Sequence, residues 1–202
     1  MGIIMKKLMM TFSFLMFTNF AMADLKPGQV APNFTLQNLE GKSVSLNDFK
    51  NKIVVLEWFN KDCPFVQKHY STKNMQNLQQ KYTQKDVVWL IVNSSAKGKQ
   101  GNESALDAKK TLEALEAMPT HYLIDEDGKV GTQYFAKTTP HMYVIGKDQK
   151  LLYRGAIDSI KSANIMDIPK AQNYVAEALD LTLANKEVKT KLSLAYGCNV
   201  KY

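Results

Sequence analysis

The chain has almost no arginine. Arg154 is the only one, and the rest of the positive charge is lysine scattered along the sequence. Nucleic-acid binding draws on clustered Arg and Lys with aromatic platforms. Neither is present, so no nucleic-acid partner is expected, and dispersed lysine reads as a solvated surface. Cysteine is nearly absent too: Cys63 and Cys198 allow a single intrachain bridge. After residue 23 no run is apolar enough to cross a membrane, which takes roughly 20 apolar residues. Repeats, low-complexity tracts and linkers are also missing, which leaves one domain.

The first 23 residues carry a different pattern. Lys6 and Lys7 precede an apolar run from Leu8 to Phe20, which ends in Ala21-Met22-Ala23 before Asp24. A basic start, a short apolar stretch and an A-x-A end predict a secretory signal peptide over 1–23. The run is short for a membrane anchor, and no cysteine near the cleavage point offers a lipid attachment site. The expected mature chain, 24–202, is exported to a periplasm or the outside, with no membrane attachment. Losing the two leader lysines lowers its net charge from +7 to +5. In an oxidising compartment two cysteines tend to pair.

The mature sequence reads as strands and helices in alternation. Phe34, Leu36 and Leu39 lead into Glu40-Gly41-Lys42, after which Val44 and Leu46 alternate with Ser43 and Ser45, a hairpin pattern. Ile53 to Phe59 is nearly all apolar, as a strand covered on both faces would be. Residues 63–83 read as helical with a break at Ser71-Thr72-Lys73. Val87 to Val92 is a second buried strand. Ser104 to Met118 forms a helix with Leu106, Leu112 and Leu115 packed, and Tyr122 to Ile124 a short strand before the turn at 125–128. Met142 to Ile145 and Leu151 to Arg154 flank a hairpin turn, and Tyr174 to Ala184 is the last helix. This order favours a single α/β sandwich.

Chemistry concentrates at Cys63. Asp62 or Cys63 falls at a helix N-cap with Pro64 at the first helical position, where its missing N–H costs nothing. Free backbone N–H groups and the helix dipole favour negative charge at the sulfur, and a thiol so placed is a better nucleophile. The competing reading is a buried, inert cysteine. Glu57, six residues earlier, is a carboxylate inside an apolar strand, costly unless paired or protonated. It can serve as proton carrier to the thiol through a water, or it can pair with a lysine such as Lys61. Thr139-Pro140 precedes a strand and is either an ordinary edge feature or a cis turn offering backbone to an extended substrate.

Taken together, these segments resemble a known family. Gly28 to Leu36 (GQVAPNFTL), Gly41, Val44-Ser45-Leu46 and Asp48-Phe49 are similar to the start of the alkyl hydroperoxide reductase/thiol-specific antioxidant (AhpC/TSA) branch of the thioredoxin superfamily. Cys63-Pro64-Phe65-Val66 sits where that superfamily places Cys-x-x-Cys, Glu57 at its buried acid and Thr139-Pro140 at its cis-proline. Lys68-His69-Tyr70, Asn93-Ser94-Ser95, Thr138 to His141 and the terminal Tyr196 to Tyr202 resemble peroxiredoxin-like exported members. The resemblance implies a thioredoxin-like three-layer α/β/α sandwich with a mixed central sheet and an N-terminal β-hairpin. It also implies thiol-disulfide oxidoreductase or antioxidant activity. Two departures bear on mechanism. Val66 replaces the second cysteine, so no dithiol swap occurs within four residues. Asn60 stands where a peroxiredoxin has Thr or Ser, and Arg154 lies in a late strand, so the peroxide-binding set is not visible.

Cys198 then has three possible roles: a resolving thiol for Cys63, half of a permanent staple, or half of an interchain disulfide. Its tail is mobile unless docked, and Tyr196 and Tyr202 are candidate anchors. His69 points to a different side of its helix from Cys63, His141 can approach Cys63, and His121 is structural at a strand edge. Copper or zinc held by one thiolate and histidines is an alternative; so are a thiol peroxidase and a protein-binding module without turnover. The expected site is catalytic Cys63, Cys198 and Glu57 with substrate-binding Pro64, Phe65, Thr139 and Pro140. It calls for no cofactor and no metal. The expected partners are a thiol or disulfide substrate, protein or small molecule, and a reductant of unspecified identity, acting on a monomer or dimer.

Overall fold

The computed structural model describes residues 24–202; the expected signal peptide, 1–23, lies outside the described residues. Strands β1 (Thr35–Asn38) and β2 (Ser43–Ser45) form the opening hairpin, with Thr35 opposite Ser45. Leu46 does not continue that hairpin. It begins a 3₁₀ turn, Leu46–Phe49, because Ser45 and Asp48 form a reciprocal capping box that closes the strand.

Strand β3 (Ile53–Trp58) is buried at every position. Helix α1 (Pro64–Ser71) follows, then α2 (Asn74–Thr83). The break between them falls at the expected place: Lys73 adopts a left-handed conformation, φ 59°, and the Thr72 hydroxyl donates back to the Lys68 carbonyl at 2.9 Å. Strand β4 (Val87–Asn93) is also wholly buried and runs parallel to β3. Helix α3 (Ala105–Leu115) starts at Ser104, whose side chain accepts from the Asp107 N–H. Strand β5 (His121–Ile124) lies between β1 and β4, so His121 stands on an interior strand rather than a sheet edge.

Beyond β5 comes a short helix, α4 (Lys129–Gln133), where only a turn was legible. The Asp125 carboxylate accepts from the Val130 and Gly131 N–H groups at 3.1 and 2.8 Å and starts it. A two-residue strand β6 (Thr138–Thr139) precedes the hairpin of β7 (His141–Ile145) and β8 (Leu151–Gly155). Helix α5 (Tyr174–Leu183) has Asn173 as its N-cap, and a last short strand, β9 (Cys198–Asn199), follows.

The seven-stranded sheet has the order β2-β1-β5-β4-β3-β7-β8 and mixes parallel and antiparallel pairs. One face packs residues from α1, α2, α3 and α5: Val66, Tyr70, Met75, Leu78, Tyr82, Ala108, Val175 and Leu179, with Val55, Trp89 and Cys63. The other packs α4 and the N-terminal segment: Val130, Tyr134, Leu25 and Phe34, with Val54, Trp58 and Tyr143. This is the expected three-layer α/β/α sandwich. Central strands covered on both sides need apolar residues at every position, which is why β3 and β4 are continuous apolar runs.

Candidate active site

Cys63 is the N-cap of α1, with Pro64 as the first helical residue. It follows the carboxyl end of the interior strand β3, so strand and helix together fix the sulfur at that end of the sheet. Asn60 holds the intervening turn. Its side-chain carbonyl accepts from the Asp62 N–H at 2.9 Å, and its amide donates to the Gln100 carbonyl. Cys63 is 0% exposed. Its Sγ–H donates to the Thr139 carbonyl at 2.9 Å, across 76 residues of sequence. The Thr139–Pro140 peptide is cis, and this turn delivers the Thr139 backbone to the sulfur.

The second cysteine arrives on the same turn. Strands β6 and β9 pair antiparallel, with Thr139 opposite Cys198 and Thr138 opposite Asn199. The tail is therefore docked. Both cysteines are free thiols. Gly197 makes the close approach possible: with φ +146° it lies against the Thr139 carbonyl, and a Cβ would overlap that carbonyl. Downstream, Val200 N–H donates to the Lys137 carbonyl and Ala96 N–H to the Lys201 carbonyl. The Tyr202 hydroxyl donates to the Ala136 carbonyl at 2.7 Å. Upstream, the Tyr196 ring meets Phe65 edge-on at 5.7 Å, and its hydroxyl donates to Asp158. Both aromatic anchors expected of the tail engage.

The two thiols titrate in opposite directions. Burial pushes the Cys63 thiol up, but hydrogen bonds from the Cys198 side chain, Thr139 and the Cys198 and Val66 backbones outweigh it, and the net shift is downward. The Thr139 hydroxyl is buried with no partner of its own among the described residues and can turn to the sulfur once the proton leaves. Cys198 is pushed up to about 11, by burial first and then by its Cys63 neighbour. Cys63 is thus the more acidic thiol of the pair and Cys198 the less acidic one.

Glu57 is fully buried on β3. Trp89 Nε1 and the Tyr70 hydroxyl donate to it at 2.8 Å each, and Gln79 Nε2 at 3.4 Å. Desolvation nevertheless dominates and raises its pKa to about 7. Lys61 is not its partner; it pairs with Asp62 at 2.9 Å. Glu57 shares its sheet face with Val55 and so with the Cys63 layer. Its three donors bind it to α1, α2 and β4, and no hydrogen bond joins it to the sulfur.

His141 does not approach Cys63. It alternates with Met142, which packs in the Cys63 layer, and joins Tyr143 in the other. Its Nδ1 lies 3.2 Å from the Tyr143 hydroxyl. His69 is buried and is held by Asn74 at 2.8 Å. Among the described residues no group of three His, Cys, Asp or Glu side chains is placed to hold a metal. Arg154 grips the Asp24 carboxylate with two nitrogens, at 2.6 and 2.9 Å. It stands opposite Tyr143, on the face away from Cys63. Of the expected substrate surface, Pro64 is exposed and Phe65 half-buried against Tyr196, while Thr139 and Pro140 are buried. Asp158 and Lys68 were not legible as site residues; a charged pair buried against an aromatic tail residue leaves no periodic signal.

The chain is similar to known proteins in sequence and in fold. The protein is 30% identical over 131 residues to "Thiol-disulfide oxidoreductase ResA" of Bacillus thuringiensis subsp. konkukian; the match covers 62% of this chain and 66% of that one. The chain thus spans just under two thirds of the length of that relative. An uncharacterized conserved protein from Geobacillus kaustophilus superposes with a TM-score of 0.77 at 31% identity, covering 87% of this chain and 92% of its own. The thioredoxin domain of a thiol-disulfide oxidoreductase from Bacteroides vulgatus gives 0.52 at 25% identity, over 65% and 89%. The AhpC/TSA family model matches residues 27–154. That stretch runs from the N-terminal segment through Glu57, Cys63 and the Thr139–Pro140 turn, and the chain belongs to the AhpC/TSA family of the thioredoxin superfamily.

Proposed function

We propose that this protein is an exported thiol-disulfide oxidoreductase of the peroxiredoxin-like group, serving antioxidant or redox homeostasis, with Cys63 as nucleophile and Cys198 as resolving thiol. The observation that carries this reading is the pairing of Cys198 with Thr139 at the cis-proline turn, which brings a second thiol to a cysteine lacking its Cys-x-x-Cys partner. The Cys63 thiolate attacks one sulfur of a substrate disulfide. A Cys63–substrate bond forms, the substrate S–S bond breaks, and the displaced sulfur leaves as a thiolate that takes up a proton. Cys198, once deprotonated, attacks Cys63 Sγ. The Cys63–Cys198 disulfide forms and the second substrate thiol is released. Two electrons have then passed to the substrate, and a thiol reductant restores both cysteines. Glu57, poised near pH 7, is the proposed proton carrier, and Pro64, Phe65, Thr139 and Pro140 the proposed substrate surface.

Two other readings fare worse. A peroxidase needs a cation at the sulfur, and Arg154 is committed to Asp24 on the opposite face. A Cys63–His141 metal site is opposed by the placement of the two side chains in different layers.

Thiol trapping on the mature protein, with a mass readout before and after graded reduction, tests the proposal. A Cys63–Cys198 bridge that opens reversibly at moderate potential is the expected result. Disulfide exchange should vanish in Cys63→Ser, and Cys198→Ser should accumulate a mixed adduct. Equal activity of wild type and Cys63→Ser would sink it.

A further inference from the structure

Four side chains near the site are not used by the disulfide-exchange mechanism. Lys68, on the buried side of α1, places Nζ 3.3 Å from Asp158 Oδ2, with side-chain exposures of 0% and 4%. Asp158 Oδ1 accepts from the Ile160 N–H at 3.0 Å and from the Tyr196 hydroxyl. His69 Nε2 lies 3.8 Å from Asp158 Oδ2 and has no hydrogen-bond partner among the described residues. The Lys68 ammonium also lies 5.8 Å from the Tyr196 ring centroid. Every one of these groups is buried, and together they join the helix that begins at Cys63 to the tail two residues before Cys198.

A charged pair this deep is costly to bury and adds little stability over an apolar replacement. What it adds is direction: a carboxylate held by Lys68 offers a strong acceptor at one place only, and the Tyr196 hydroxyl is what reaches it. Tyr196 then fixes Gly197 against the Thr139 carbonyl and Cys198 opposite Thr139. With the tail so seated, Cys63 has no exposed surface. The Thr138–Thr139 backbone that an extended peptide would pair with is already paired.

We propose that the buried Lys68–Asp158 pair, acting through the Tyr196 hydroxyl, is the positioning device that seats Cys198 at Cys63, and that the seated tail holds the substrate groove closed against external polypeptides. The tail is a tethered occupant of the enzyme's own groove. An external disulfide reaches Cys63 only when Tyr196 lets go, and a polypeptide also needs the Thr138–Thr139 edge vacated. Resolution is then the return of the tail to its seat, which expels the bound substrate strand as Cys198 attacks. This inference rests on the reading of Cys63 and Cys198 as a redox pair.

Tyr196→Phe in the full mature chain keeps the ring on Phe65 and removes only the hydroxyl. Two readouts decide. Equilibration with a glutathione redox buffer measures how strongly Cys198 is presented to Cys63. A hydrogen bond to a charged group is large enough that its loss should lower this effective concentration by about tenfold. In a Cys198→Ser background, adding Tyr196→Phe should raise the alkylation rate of Cys63 by iodoacetamide by a similar factor. Asp158→Asn, which keeps the size and loses the charge, should act in the same direction and serves if Tyr196→Phe folds poorly. Unchanged equilibrium and unchanged alkylation in folded variants would overturn the proposal. If wild type forms no Cys63–Cys198 disulfide at any potential, the redox-pair reading fails by itself. The alkylation arm would still decide whether the anchor closes the groove.

Discussion

Replacing Glu57 with glutamine should invert its stability relative to wild type as pH rises. The carboxyl group titrates near 4.5 when solvated and near 7 when folded, with burial as the dominant cause. Below the lower value both states hold the proton, and burial carries no ionic penalty. Between the two values the unfolded chain ionises while the folded one does not, so stability drains away as pH rises. Above about 7 the loss is complete, at about 3 kcal/mol. Glutamine cannot ionise, so it escapes this loss. Its cost at low pH should be small. The amide oxygen can accept from Trp89 Nε1, which can only donate, while the amide nitrogen donates to the Tyr70 hydroxyl, which can rotate to accept. A residual mismatch of about 1 kcal/mol is reasonable. Urea unfolding of both proteins from pH 4.5 to 8 gives a difference curve in which other titrating groups cancel. Wild type should be the more stable at the acid end, and the variant should gain about 3 kcal/mol on it by the alkaline end. A difference that is flat with pH would refute the buried-acid account of Glu57. If Glu57 carries the proton as well, the variant should exchange disulfides more slowly even where it is more stable.

Other outcomes follow from the same contacts. Cys198→Ala removes the side-chain donor that lowers the Cys63 pKa most and keeps the backbone N–H at 198, so a titration of Cys63 by ultraviolet absorbance should show its pKa moving upward; an unmoved curve would mean the Cys198 thiol does not tune the sulfur. Gly197→Ala forces a Cβ into the Thr139 carbonyl. It should cost about 1–3 kcal/mol locally and speed Cys63 alkylation, whereas a fully protected Cys63 would contradict the docked tail. The half-exposed Asp24 should contribute under about 1 kcal/mol through Arg154. Thermal unfolding of Asp24→Ala checks this, and a large loss would mean the pair is better shielded than its exposure indicates. Mass analysis of protein recovered after export should show a chain beginning at Asp24; an intact leader would remove the signal-peptide reading.

Local physics was legible from the residues alone. The apolar runs at Ile53 and Val87 read as strands covered on both faces. The helix break at Thr72-Lys73 and the Cys63-Pro64 helix start are written in short-range preferences of backbone and caps. A carboxylate at Glu57 within an apolar strand announces its own anomaly, because desolvation is a property of the strand it sits in. Distant pairing was not legible in this way. Two residues are too few for β6 and β9 to show periodicity, and only the folded chain brings Cys198 opposite Thr139. The side to which His141 points depended on the register of β7 against β3, where a shift of one residue would exchange the faces. Lys68 and His69 read as ordinary polar helix residues until Asp158 and Tyr196 arrive from far along the sequence to cover them. The sequence by itself determined the longer elements and singled out Cys63 at its helix start, since those follow from neighbours a few bonds away. Tertiary structure decided that Cys198 comes to the Thr139 turn beside Cys63, because a contact between residues so far apart in sequence exists only after the sheet has brought their segments together.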